Sequence, residues 1–101
     1  MVPLDWNMVK EKYKPGTKVR HIVGSRAFEI LRVTEEAIYF KWGAVPEGAI
    51  HRSHLERIVE LIEEGVVRPD QVTLTSDYRT LVSDERPTTA IGVLKDLGYV
   101  R

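Results

Sequence analysis

Basic side chains are concentrated in the first third of the chain. Residues 10–32 carry a net charge of +5 and residues 55–86 carry −4, although the 101-residue chain is neutral overall. Cations gathered on one surface can neutralise phosphates and release the counterions held by a nucleic acid, and an aromatic ring beside them can stack on unpaired bases. The residues predicted to bind nucleic acid in this way are Lys12, Lys14, Lys18, Arg20, Arg26 and Trp42.

The same charge pattern has two other interpretations. Lysines and arginines on a strand also occur on a solvated sheet face, where they prevent unwanted edge pairing. The basic and acidic parts of the chain could instead face each other within the fold. A sequence pI of about 6.8 is low for a nucleic-acid-binding domain, and the sequence leaves all three interpretations open.

Two histidines have a spacing that metal ligands use. His51 and His54 are three residues apart, as two ligands on one helical face would be. Ser53 between them has the character of a helix N-cap, which would leave His51 outside the helix. No third ligand has a telling spacing, although Glu56, Glu60 or the distant His21 could supply one. The sequence therefore assigns no metal site, and metal binding by His51 and His54 stays open.

Motifs for catalysis or cofactor binding are missing from the sequence. Ser25 lacks the flanking residues of a nucleophile elbow, and the seven glycines form neither a phosphate loop nor a dinucleotide fingerprint. The adjacent carboxylates at 35–36 and 63–64 are typical of a solvated turn and a helix end. We predict no catalytic residue and no cofactor.

Composition narrows the class of protein. The chain has no cysteine, which excludes disulfides and thiolate metal sites. No apolar run approaches the ~20 residues that span a bilayer, and the first residues lack the pattern of a signal peptide. We therefore expect a cytoplasmic protein with no membrane partner. Charged residues make up 30%, with one Asn and one Gln, a balance that favours a thermophilic source.

The elements that must position these side chains indicate a single α+β domain over residues 1–101. Alternating apolar residues predict a three- to four-stranded antiparallel meander packed by a central helix, with short helices at both ends. The predicted strands cover 17–23, 27–33, 37–42 and, at one edge, 49–52. The predicted helices cover 5–13, 53–64 and about 87–97, the second of them opened by a capping box of Ser53 and Glu56. Between them, Val72 and Leu74 alternate, and 78–82 is predicted to be a short strand.

Two stretches carry a resemblance to known proteins. Residues 28–40, followed by Ile-His-Arg-Ser-His-Leu-Glu at 50–56, resemble a small uncharacterised domain associated with restriction and other DNA-processing systems. That resemblance implies a nucleic-acid context without a defined activity. Residues 88–101 are similar to the recognition helix and wing start of winged-helix DNA binders, in which the helix enters the major groove.

Three functions follow as hypotheses. The first is a non-catalytic accessory domain that binds DNA or RNA through a basic sheet face. The alternative is a protein–protein interaction module, such as an inhibitor, an assembly subunit or a homodimer, that uses its charge layout or the loop at 42–50. The third is a small metal-dependent hydrolase using His51 and His54.

Overall fold

The structure is a computed structural model that describes residues 4–20, 27–42 and 47–100. The strands of this part are β1 (Lys18–Arg20), β2 (Ala27–Val33), β3 (Ala37–Lys41) and β4 (Gly48–His51). Its helices are α1 (Trp6–Lys12), α2 (Arg52–Glu63), α3 (Gln71–Leu81) and α4 (Pro87–Asp96). The strands form one antiparallel sheet in the order β1-β2-β3-β4. The α+β class and the meander are confirmed.

One face of the sheet forms the core. Its strands alternate between buried and more exposed positions, as a half-buried sheet requires. The inward side chains are Val19, Phe28, Ile30, Ile38, Phe40 and Ile50. They belong to one cluster with buried residues of all four helices, so the helices cover this face. Within α4, residues 89–94 are all buried, which makes α4 the central helix of the core.

Helix α1 begins and packs as predicted. The Asp5 carboxylate accepts hydrogen bonds from two first-turn amides, as an N-cap does. Trp6, Val9 and Tyr13 are buried on one side of the helix. The Trp6 indole N–H donates to the backbone oxygen of Thr34 over 2.7 Å. This bond fixes α1 to the turn between β2 and β3.

Helix α2 begins two residues earlier than its predicted N-cap at Ser53 implies. Its N-cap is His51, whose side chain makes no capping hydrogen bond, so the predicted capping box of Ser53 and Glu56 is wrong. The reason lies in the sheet, because β4 runs directly into the helix. The Arg52 amide donates to the Glu36 backbone oxygen over 2.8 Å, and this bond to the β2–β3 turn fixes where the strand ends.

The short strand predicted at 78–82 is also wrong, because residues 71–81 form helix α3. The alternation of Val72 and Leu74 lies within the same helix and does not mark a strand. Asp70 caps the helix by accepting from the Val72 amide over 2.9 Å. Leu74 and Tyr78 lie one turn apart and are both buried, whereas Val72 is 84% exposed. The burial therefore has the helical period, with α3 packed against α4.

Glycines end two helices as predicted. Gly65 after α2 has φ +76° and Gly98 after α4 has φ +92°, a left-handed conformation that glycine adopts without strain. After α4, the Tyr99 amide donates to the Leu94 oxygen over 2.9 Å, which completes a Schellman motif. None of the helices in the described ranges has the length and apolar character needed to cross a bilayer.

Candidate nucleic-acid interface

In the described part of the chain, the face of the sheet opposite the helices is open and carries two of the predicted binding residues, Lys18 and Arg20. Side chains alternate along a strand, so residues between the core positions point outward. The polar and aromatic side chains that do so are Lys18, Glu29, Arg20, Arg32, Tyr39 and Lys41. Lys18 is 68% exposed and Arg32 is 52% exposed. We call this surface the open face.

A β-bulge places Arg32 on the open face. The register between β2 and β3 shifts between Ile30 and Arg32, so Ile30 pairs with Phe40 and Arg32 pairs with Tyr39. Without the shift, Arg32 would share the core face with Ile30, two residues before it. Bulges commonly redirect a side chain in this way.

Lys18, Glu29 and Lys41 form a row across three strands. Glu29 pairs with Lys18 on one side and with Lys41 on the other. The Lys18 ammonium lies 3.2 Å from the Glu29 carboxylate. One carboxylate thus lies between two cations, and the row keeps a positive excess.

Arg32 and Tyr39 form the aromatic part of the open face. The guanidinium carbon lies 4.2 Å from the centroid of the Tyr39 ring, a cation–π geometry. Arg32 also pairs with Glu47, which lies just before β4. The Tyr39 ring is half-buried, with the guanidinium over one of its faces.

The ion pairs on the open face are weak enough to exchange. A solvent-exposed pair contributes about 0–1 kcal/mol, because water and salt screen it. Both pairs involve exposed side chains, those of Lys18 with Glu29 and of Arg32 with Glu47. Phosphates can therefore displace the carboxylates at little cost. The described part of the open face has four cations for these two carboxylates.

The structure does not bring the predicted binding residues together on one surface. Lys18 and Arg20 lie together on the open face, and Lys14 is exposed in the turn before β1. Lys12 lies elsewhere, with its ammonium 3.3 Å from the Asp96 carboxylate. Trp42 is half-buried and packs against the core cluster. Arg26 lies outside the described residues.

The prediction considered Tyr39 as a stacking ring but omitted two cations of the open face, Arg32 and Lys41. Tyr39 and Lys41 alternate with the buried Ile38 and Phe40, and this was the signal that could have placed them there. The place of Arg32 depends on the bulge, which alternation alone does not reveal.

The two histidines come close to each other. The ring centroids of His51 and His54 are 5.2 Å apart and meet edge to face. His51 lines a pocket of about 370 Å³ with Glu35, Glu36, Arg52, Ser53 and Glu56. Arg52 donates to the carboxylates of Glu35 and Glu56 over 3.2 and 3.3 Å. Within the described ranges, no three His, Asp or Glu side chains are grouped to hold a metal ion.

Among the residues that the structure describes, the exposed apolar side chains do not form one contiguous docking patch. The large ones are Met8, Val66, Val72 and Leu81. Val72 and Leu81 lie at opposite ends of α3, and their separation of nine residues turns them to opposite sides of the helix. The loop at 42–50, the other predicted contact region, lies partly outside the described residues.

Burial raises the pKa values of three tyrosines, Tyr13, Tyr78 and Tyr99. Burial, reinforced by a hydrogen bond from its hydroxyl to Asp96, raises the pKa of Tyr13. Burial and the nearby Glu85 raise the pKa of Tyr78 to about 12. Burial and the charges of Glu63 and Asp5 also raise the pKa of Tyr99. These rings remain neutral and structural at ordinary pH.

Helix α4 holds the residues that resemble a winged-helix recognition helix. Its burial across 89–94 counts against insertion into a major groove, because insertion would require the core to open.

Comparison of the chain with family models, with curated proteins and with solved structures gives no match.

Proposed function

We propose that this domain is a non-catalytic module that binds single-stranded nucleic acid across the open face. The observation that supports it most strongly is that Lys18, Arg20, Arg32 and Lys41 share the sheet face that the helices leave uncovered, with the Arg32 guanidinium over the Tyr39 ring. Cations with an accessible aromatic ring are the combination that binds unpaired strands without reading their sequence.

The spacing of the cations suits a flexible strand. Neighbouring β-strands lie about 4.8 Å apart, and alternate residues on one strand lie about 6.6 Å apart. A single strand can adjust its backbone to contact cations on β1, β2 and β3 in turn. It can also turn a base onto Tyr39, a contact that typically contributes about 1–3 kcal/mol.

The proposal is tested by reversing charge on β1. The variant Lys18→Glu/Arg20→Glu replaces two open-face cations with anions. The matched control is Arg68→Glu/Arg79→Glu, which makes the same charge change at exposed positions outside the sheet. Both variants and the parent protein are titrated with labelled single-stranded DNA, single-stranded RNA and duplex DNA, and binding is followed by fluorescence anisotropy.

We expect the parent and the control to bind single strands, and the β1 variant to lose at least tenfold in affinity. Circular dichroism of all three proteins establishes that they are folded. Equal affinity of the β1 variant and its control would contradict the proposal, as would a parent that binds none of the three nucleic acids.

A further inference from the structure

A pocket lies where the edge strand β1 meets helix α4. It has a volume of about 320 Å³ and is lined by Arg20, Gly92, Lys95 and Asp96. Arg20 belongs to the open face, whereas the other three residues belong to the helical layer. The pocket therefore joins the open face at its edge, at the point where a strand crossing the sheet leaves it.

The carboxylate of this pocket is already engaged. The Tyr13 hydroxyl donates to Asp96 Oδ2 over 2.7 Å, and the Lys12 ammonium lies 3.3 Å from the same oxygen. Lys12 also donates to the Asp96 backbone oxygen over 2.8 Å, which engages a free carbonyl at the end of α4. Lys12 thus balances the charge of Asp96.

The other two cations of the pocket have no carboxylate partner within the described ranges. The Lys95 ammonium donates to the Gln71 side-chain oxygen over 2.7 Å, a contact that orients the lysine without neutralising it. Arg20 forms no ion pair with a described residue and keeps a guanidinium that can bind two oxygens at once. The pocket thus presents two positive charges beyond those needed to balance Asp96.

We propose that this pocket binds the terminal phosphate of the strand that lies on the open face, an inference that rests on the proposed function. A terminal monoester carries a charge of about −1.5 to −2 near neutral pH, as a phosphorylated side chain does. An internal diester carries a single negative charge. Arg20 and Lys95 match the doubly charged end, and the position at the edge of the sheet suits the end of a chain.

The test compares three single-stranded oligonucleotides of one sequence, with a 5′-phosphate, with a 3′-phosphate and with hydroxyls at both ends. Charge-assisted hydrogen bonds predict that one phosphorylated form binds tighter by on the order of tenfold. Lys95→Gln should reduce this ratio severalfold, because it removes one of the two cations that contact the phosphate. Lys18→Gln should weaken all three oligonucleotides together and leave the ratio unchanged, and Arg79→Gln should change neither.

The outcomes separate the two proposals. If all three oligonucleotides bind equally in a salt-dependent manner, the terminal-phosphate pocket is wrong while the open face stands. If the phosphate preference is undiminished in Lys95→Gln, the phosphate lies elsewhere and the assignment to this pocket is overturned. If none of the oligonucleotides binds, the proposed function fails and this inference fails with it.

Discussion

Substitution of Gly48 by alanine tests the packing that holds β3 and β4 together. Gly48 pairs with Phe40, and a Cβ atom built at Gly48 would lie 2.7 Å from Phe40 Cζ and 2.9 Å from Arg86 Nε. The exposed Arg86 side chain can move away. The Phe40 ring cannot easily do so, because it is 1% exposed and meets Phe28 edge to face at 5.4 Å.

The expected loss follows from this contact. Overpacking a well-packed core destabilises by about 1–3 kcal/mol, and the lower chain entropy of alanine offsets roughly 0.5–1 kcal/mol of that. We expect Gly48→Ala to lower the free energy of unfolding by about 0.5–2 kcal/mol. For a domain of this size, each kcal/mol lowers Tm by about 4–8 °C.

A double-mutant cycle identifies the contact responsible. Phe40→Leu removes the Cζ atom, so alanine at position 48 should be tolerated much better in that background. Urea denaturation of the parent, both single variants and the double variant gives the coupling free energy. We expect a coupling of about 1 kcal/mol in the compensating direction. Additive effects, or a neutral Gly48→Ala, would refute the steric reasoning.

Two further predictions concern charge and pH. Glu29→Gln leaves Lys18 and Lys41 without the carboxylate between them, so affinity for single-stranded DNA should rise about three- to tenfold at low salt, with a steeper salt dependence; an unchanged or lower affinity would contradict the role of this row. Tyr78, with its pKa raised to about 12, keeps its proton in the folded state while the unfolded chain loses it above pH 10. Stability should therefore fall between pH 10 and pH 12, and Tyr78→Phe should reduce this fall by up to about 1.4 kcal/mol per pH unit; equal alkaline denaturation curves of the two proteins would count against it.

The meander and helix α2 could be predicted because their residues repeat with a clear period. Phe28 and Ile30 alternate on β2, as do Ile38 and Phe40 on β3, and both pairs are buried as predicted. Asp5 and Gly98 marked helix ends through local chemistry, which depends only on neighbouring residues. Such features need no knowledge of distant contacts.

Helix α3 was missed because its local composition favours a strand. Thr73, Thr75 and Thr80 are β-branched, and the alternation of Val72 with Leu74 imitates a half-buried strand. The tertiary structure decides otherwise, since packing against α4 buries Leu74 and Tyr78, one helical turn apart. The sequence did contain a signal for a helix here, because Asp70 can act as an N-cap and is followed by the apolar pair Leu74 and Tyr78 at i, i+4.

The candidate site was only partly predictable for a related reason. Alternation already placed Trp42 in phase with Ile38 and Phe40, and its packing against the core follows from that phase rather than from its ability to stack on bases. The pairing of Glu29 with two lysines depends on strand register, which sequence composition does not encode.

The salt dependence of single-strand binding tests the central claim most directly. With four open-face cations engaged, log K should fall with log salt concentration with a slope of about −2.8, so affinity drops about 50-fold between roughly 50 and 200 mM salt. Lys18→Gln/Arg32→Gln/Lys41→Gln should reduce the slope to about −0.7. A parent slope near zero, or a slope that this triple variant leaves unchanged, would show that the open face does not bind the phosphates.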